Sequence, residues 1–192
     1  MPSVSTLQTF VQNNNVAVSP TLAAAISTAI SSTGTAVSVT ASVAYTTYNS
    51  NPTSTYIVAD TAINLLNVLY KSALLRATSV KLIGTNNTVS VTDASFLISL
   101  PGFTVDATAS LSLSDSATSL ASASSLLFSK ASSVVVTGTA TATQATTIYG
   151  KKATASYSIS DTAANVAGAS ASVLGQATAV DVPEQPRLRR QL

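Results

Sequence analysis

The chain has no cysteine, no histidine and no tryptophan, and only 8% of its 192 residues are charged. Without cysteine, neither a disulfide framework nor a thiolate zinc site can form. Without histidine and cysteine, the commonest general base and the thiolate nucleophile are both missing. The seven glycines are scattered and make no phosphate-binding loop. We therefore predict a protein that is not an enzyme and that needs no metal or cofactor.

A serine–lysine dyad is the catalytic arrangement that this inventory still permits. Lys71 or Lys130 could act as its base. In a chain this rich in serine, a serine next to a lysine carries little information, so the non-catalytic interpretation is preferred.

The net charge of +2 comes from the carboxyl end of the chain. Three arginines and one acid, Glu184, lie within residues 183–192, whereas residues 1–182 hold six cations and six anions. Nucleic-acid affinity depends on clustered Lys and Arg, so a neutral body argues against it. The nearest basic cluster, Lys151-Lys152, is expected to be solvated in a turn. Residues 183–192 are predicted to be an exposed basic tail.

Long apolar runs are also missing, although the mean hydropathy is +0.39. No stretch approaches 18 uninterrupted apolar residues, which argues against a transmembrane segment. The first residues have no basic segment followed by an apolar core, so no secretory signal peptide is expected there. The composition predicts a folded protein whose surface is rich in hydroxyl groups and carries little charge to keep copies apart.

One nine-residue phrase recurs through the chain. It reads Y-I-V-A-D-T-A-I-N at 56–64, L-S-L-S-D-S-A-T-S at 111–119 and Y-S-I-S-D-T-A-A-N at 157–165. Each copy alternates like a strand, reaches an aspartate and continues with apolar residues at helical spacing. Asp60, Asp115 and Asp161 are therefore predicted to be helix N-caps. A row of acidic metal ligands is the alternative, but such a site needs several oxygens that converge on one point.

The phrase predicts four units, which start near residues 16, 56, 111 and 157, in a single repeat domain over 1–182. Each unit is expected to contain a strand, a helix and a second strand. Units this short cannot bury an apolar face alone, so neighbours must stack. We predict an α/β or α+β repeat protein, a solenoid-like stack with β-rich faces. A compact α+β domain with internal pseudo-symmetry is the rival architecture.

Further elements are predicted around these units. They are helices at 5–13, 20–34 and 93–100, strands at 16–18, 37–45, 103–109 and 139–148, and a hairpin that pairs 80–83 with 89–92. One continuous helix is expected after each aspartate, and Gly175 is expected to end the third.

Four alternate threonines, Thr137, Thr139, Thr141 and Thr143, are predicted to project from one face of a strand. A flat threonine row suits an ice-binding, glycan-binding or other surface-binding face. The alternative is an ordinary solvent-exposed strand in a threonine-rich chain. These four residues are the candidate interaction face.

The D-T-A-x-N phrase after a strand, in a Ser/Thr/Ala/Val-rich chain without cysteine, resembles repeat segments of bacterial cell-surface, adhesin-like and S-layer-type proteins. The resemblance implies an extracellular or cell-surface location and a structural or adhesive role. Glycine- and aspartate-rich calcium nonapeptides are missing from this sequence, so calcium binding is not implied.

These observations favour a non-catalytic extracellular structural protein. We expect it to be a self-assembling subunit of a bacterial filament, surface layer or matrix, whose partner is the protein itself. Edge strands with few charged residues leave such units free to pair. The alternative is a surface-binding module, namely an adhesin or a glycan-binding or ice-binding face built on threonine-rich strands.

Overall fold

The structure, a computed structural model, describes residues 37–184, which form two compact units. The first unit contains residues up to 88 together with 92–111, and the second contains 89–91 and the chain from 112 onward. Parallel strands and helices make up both units, which confirms the α/β class. The elements predicted before residue 37 and most of the predicted basic tail lie outside the described residues.

The elements follow one another in regular alternation. Up to residue 105 they are β1 Val37–Val39, α1 Ala41–Ser50, β2 Tyr56–Asp60, α2 Ala62–Leu65, a 3-10 turn Val68–Tyr70, α3 Lys71–Arg76, β3 Ser79–Leu82, β4 Asn87–Val89, α4 Val91–Ser99 and β5 Thr104–Val105. From residue 111 they are β6 Leu111–Ser116, α5 Ala117–Ser122, α6 Ser125–Lys130, β7 Ser133–Ala140, α7 Ala142–Lys151, β8 Ser156–Ser160, α8 Ala163–Gly168, α9 Ala171–Gln176 and β9 Val180–Asp181.

The strands form two sheets. The first has the order β1-β2-β3-β5, and each neighbouring pair is parallel. The second has the order β4-β6-β7-β8-β9, and its strands from β6 to β9 are parallel. Within each sheet the strands therefore lie side by side in chain order. Helical segments make most of the connections, as parallel pairing requires. No helix between residues 37 and 184 is long and apolar enough to cross a membrane.

Alternate residues of each strand face the core. In β2, Tyr56 and Val58 are fully buried, and in β8 Tyr157 and Ile159 take the same roles. The two tyrosine hydroxyls donate to helix carbonyl oxygens, Tyr56 to Ala73 at 3.0 Å and Tyr157 to Val173 at 2.9 Å. Burial raises the pKa of Tyr56 to about 12. The phenol therefore stays neutral, and its hydrogen bond satisfies a polar group inside the core.

Each aspartate of the recurring phrase accepts hydrogen bonds from two places in the chain. In Asp60 one carboxylate oxygen accepts from the N–H of Thr61 and the side chain of Asn64, at 2.8 and 2.7 Å. The other oxygen accepts from the N–H of Ala41 at 2.9 Å, which is the first residue of α1. Asp60 thus ends β2 and caps the helix that follows the neighbouring strand, β1. We call this arrangement the carboxylate lock.

The carboxylate lock is repeated in the second unit. Asp161 accepts from Thr162, Asn165 and the N–H of Ala142, the first residue of α7, at 2.8, 2.8 and 3.0 Å. Asp115 accepts from Ser116 and from the N–H of Val91, at 2.7 and 2.9 Å.

The prediction that these aspartates cap helices is therefore confirmed, but each one caps a different helix from the one predicted. The helices that follow the three aspartates are capped by other residues, for example by the Ser116 hydroxyl at the start of α5. At α8 the hydroxyl of Thr162 does the same.

Two predicted strands are helical. Residues 41–50 form α1, because Thr40 accepts from Val43 N–H as an N-cap and the buried residues Ala41, Ala44 and Thr47 repeat every three positions. Residues 142–151 form α7, which begins with a capping box between Thr141 and Gln144. In both cases the alternating residues on which the strand prediction rested span the end of a strand and the start of a helix.

The predicted continuous helices are each broken into short ones. In every case a second helical segment begins at a new side-chain N-cap. Asn67 accepts from Leu69 N–H, Ser124 from Leu127 N–H and Ser170 from Val173 N–H. Gly175 was wrongly expected to end a helix, since it lies inside α9.

The connection between the recurring phrases also differs from the prediction. The hairpin was wrong, because β3 and β4 belong to different sheets. The helix expected at 93–100 is confirmed as α4. The strand expected at 103–109 is limited to Thr104–Val105.

Loss of one lock is expected to be costly. In Asp60→Ala the buried N–H of Ala41 loses its acceptor, so the free energy of unfolding should fall by about 3 kcal/mol. Asp60→Asn keeps an oxygen acceptor without the charge and should cost about 1 kcal/mol. The exposed Asp181→Ala variant is the control, with an expected change within about 0.5 kcal/mol. Urea denaturation followed by circular dichroism measures all three, and equal effects of Asp60→Ala and Asp181→Ala would contradict the lock.

Candidate functional site

The four candidate threonines do not share one strand. Thr137 and Thr139 lie in β7, Thr141 is the N-cap of α7, and Thr143 lies in the first turn of that helix. All four are exposed. Gly138 interrupts even the strand part of the row, because its φ of 78° accompanies a shift of register between Val135 and Thr139. A continuous threonine row over residues 137–143 is therefore wrong.

A wider hydroxyl-bearing surface takes its place on the outward face of the second sheet. It lies opposite the buried residues of β6, β7 and β8, and we call it the hydroxyl face. Its residues are Ser112, Ser114, Ser133, Val135, Thr137, Thr139, Ser156, Ser158 and Ser160.

Register brings these side chains into rows across the strands. Ser112 lies beside Ser133, and the Ser133 hydroxyl donates to Ser112 at 2.7 Å. Thr139 lies beside Ser158 on the next strand. Neighbouring strands are about 4.8 Å apart, so the rows repeat at that spacing. Sequence reasoning missed the serines because the strands that carry them are far apart in the chain.

The aspartates are structural acceptors in this environment. The pKa of Asp161 is lowered by the Asn165 amide and then by the N–H groups of Ala142 and Thr162. The pKa of Asp115 is lowered mainly by the N–H groups of Val91 and Ser116. Within residues 37–184 no group of three acidic side chains is placed to hold a metal ion.

The two lysines that were expected to be solvated in a turn are bound to helix ends. Lys151 Nζ donates to the carbonyl oxygens of Ala121 and Ala123, and it lies 5.5 Å from the centre of the Phe128 ring. Lys152 Nζ donates to Ala131 at 2.7 Å. Both ammonium groups thus satisfy carbonyl oxygens at the carboxyl ends of α5 and α6, where cations are favoured. The prediction of a merely solvated pair was wrong.

Each of the two units has an open depression among the described helices. In the first unit a depression of about 210 Å³ contains Lys71, whose Nζ lies 5.4 Å from the centre of the Phe96 ring. In the second unit a groove of about 320 Å³ runs between α7 and α8 and is lined by Thr143, Thr147, Ala164 and Gly168 among others. The described residues that line this groove are alanines, threonines, one glycine and Asn165, and none of them is charged.

Acid is expected to weaken the second unit. Because the pKa values of Asp115 and Asp161 are lower in the folded state, the unfolded chain binds more protons as the pH falls below about 4. The free energy of unfolding should therefore be pH-independent near neutrality and fall through the acid range. Asp161→Asn should lose part of this acid dependence. Urea midpoints between neutral pH and about pH 3 measure it, and an unchanged slope in the variant would contradict the assignment.

Comparison of the chain with protein-family models, curated proteins and solved structures finds no match. The resemblance of the D-T-A-x-N phrase to cell-surface repeats therefore stays a prediction.

Proposed function

We propose that this protein is a non-catalytic structural subunit that assembles with further copies of itself outside the cell. In this proposal each strand and its adjoining helices form one strand–helix layer, and these layers stack as a solenoid-like repeat. The assembly of many copies is a filament, surface layer or matrix. The resemblance to bacterial surface repeats supports the extracellular location.

The observation that carries the proposal is the repetition of the carboxylate lock. Asp60 and Asp161 accept from the same three kinds of donor, and the capped residues, Ala41 and Ala142, each lie 19 positions upstream of their aspartate. Contacts of this kind join each layer only to its neighbour. Stability in such arrays depends on layer-to-layer interfaces, so an array can be extended by adding another layer.

The surface chemistry supports self-association as well. Charged residues are only 8% of the chain, and the body of the chain is neutral. The outward face of the second sheet carries hydroxyl groups and no charged side chain among the described residues of β6, β7 and β8 that face outward. Such surfaces lack the charge repulsion that keeps soluble copies apart, and few charged side chains protect the strand edges.

Assembly of the purified protein is the direct test. Light scattering on a sizing column should give masses well above the 19.4 kDa of one chain, rising with protein concentration. Electron microscopy should show fibres or layers. Because apolar and backbone contacts drive the proposed association, added salt should not dissociate it. A 19.4 kDa species at every concentration would contradict the proposal.

The hydroxyl face favours a second candidate function, binding to a regular surface such as a polysaccharide or ice. Several serine and threonine rows lie side by side there, which a single threonine row could not provide. Thr139→Lys should abolish binding to such a surface. Thr143→Lys changes an exposed threonine of α7 outside the rows and should keep it. Equal binding by both variants, measured by glycan-array binding and thermal hysteresis, would contradict this candidate.

A further inference from the structure

The last strand–helix layer of the described chain is built like an interior layer but lacks a neighbour on one side. It comprises residues 163–182, that is α8, α9 and β9, and we call it the terminal layer. Val180 of β9 and Val182, the residue that follows this strand, are 43% and 44% exposed. The matching residues of β7, Val134 and Val136, are 1% and 7% exposed. The terminal layer therefore presents side chains of the core type to solvent.

The helices of the terminal layer show the same difference. The residue two positions after the aspartate is buried in α2 and α5, where it is Ala62 and Ala117, with 3% and 4% exposure. In α8 the matching residue, Ala163, is exposed. Val166 is half-buried, whereas the matching Leu65 is fully buried.

Backbone groups of the terminal layer are open as well. One side of β9 pairs with β8, where Val180 lies beside Ile159 and Asp181 beside Ser160. No described strand pairs with its other side. The N–H of Ala163 begins α8, and no residue between 37 and 184 accepts from it, whereas the matching N–H groups of Ala41 and Ala142 are held by carboxylate locks. Thr162 caps the N–H of Asn165 in α8 but leaves the N–H of Ala163 without a described acceptor. The terminal layer thus offers a strand edge, apolar side chains and one open helix N–H together.

The residues that follow Glu184 do not have the composition of another layer. Residues 185–192 include three arginines, whereas residues 163–182 contain no lysine or arginine. Residues 1–36 are different: they contain no charged residue, and their sequence predicts a strand at 16–18 followed by a helix with an apolar stripe at 20–34. They carry the pattern that could continue the stack.

We propose that the terminal layer docks onto residues 1–36 of a second copy of this chain, so that copies join head to tail. The inference rests on the proposed self-assembly and names the surface and the partner segment that achieve it. Such an interface joins two different surfaces, so a joined pair still has one free terminal layer and one free copy of residues 1–36. Further copies can therefore add at both ends, and a filament forms when the rotation between copies does not close a ring. β9 would then be covered by the next copy instead of being an unprotected edge.

Lysine substitutions at the terminal layer test the surface. The double variant Val180→Lys/Val182→Lys places two ammonium groups where the partner would bury two valines, so it should stay monomeric where the wild type assembles. Val135→Lys is the matched control, because Val135 is equally exposed, at 42%, but lies on the hydroxyl face. It should assemble like the wild type. Circular dichroism and urea denaturation check that both variants fold.

Cysteine cross-linking tests the partner segment, since the chain has no cysteine of its own. Under oxidising conditions a mixture of Val182→Cys and Val18→Cys proteins should give cross-linked dimers, and neither protein alone should do so. Cross-linking of Val182→Cys alone would mean that two terminal layers face each other, which overturns the head-to-tail arrangement. No cross-linking in the mixture would overturn the partner segment.

The outcomes separate this inference from the proposed function. If the wild type assembles and the Val180→Lys/Val182→Lys variant assembles equally well, the terminal layer is not the interface and self-assembly stands. If Val135→Lys alone prevents assembly, the hydroxyl face is the interface and the inference is overturned. A wild type that is monomeric throughout overturns both.

Discussion

A carboxylate at the end of one parallel strand holds the first turn of the helix that follows the neighbouring strand. The first N–H groups of any helix have no partner within the helix. Asp60 supplies that partner for α1, and Asp161 supplies it for α7. The same carboxylates accept from their own strand end, so each one ties two layers together at a fixed register. A charged acceptor makes such hydrogen bonds stronger than neutral ones.

An amide replaces the carboxylate at one position of the first unit. The Asn87 side-chain oxygen accepts from the N–H of Ala62, the first residue of α2, at 2.8 Å. Its nitrogen donates to the carbonyl oxygens of Ile83, Gly84 and Ser110. Asn87 is nearly inaccessible to solvent, at 2% exposure. The requirement is therefore an acceptor at the helix start, and a donor-rich amide meets it where three carbonyl oxygens need partners.

Small side chains are the second condition of this architecture. Ala41, Ala44 and Ala145 are fully buried at helix positions that face the core. Helices lined with alanine can approach a sheet closely, and the layers can be short for the same reason. Each strand and its helices therefore bury little apolar surface by themselves and depend on neighbouring elements for burial. This explains why the exposed Val180 of β9 and the buried Val134 of β7 have such different environments in the same kind of strand.

Sequence reasoning found the recurring phrase, its strands and the acceptor role of its aspartates, because these signals are local. It missed the target of each carboxylate, since Ala41 lies 19 residues upstream of Asp60 and belongs to another layer. The Thr141-x-x-Gln144 capping box was readable in the sequence and marks α7 as a helix. The alternating threonines led to a strand prediction instead. Over a few residues the two-residue period of a strand cannot be distinguished from the helical period of about 3.6 residues.

The serine rows of the hydroxyl face could not be found from the sequence in the same way. They depend on the lateral order of β6, β7 and β8 and on the register shift at Gly138, and both are tertiary properties. The open terminal layer is equally hidden, because Val180 and Val134 occupy matching places in the sequence pattern. Only the presence or absence of a covering layer distinguishes their exposures of 43% and 1%.

Hydrogen exchange at single backbone amides tests the lock between layers most directly. The first N–H of a helix normally exchanges quickly, because it has no helical partner. If carboxylates hold the layers together, the N–H groups of Ala41 and Ala142 exchange slowly in the native protein, and that of Ala163 exchanges fast. Equally fast exchange at all three would contradict the account.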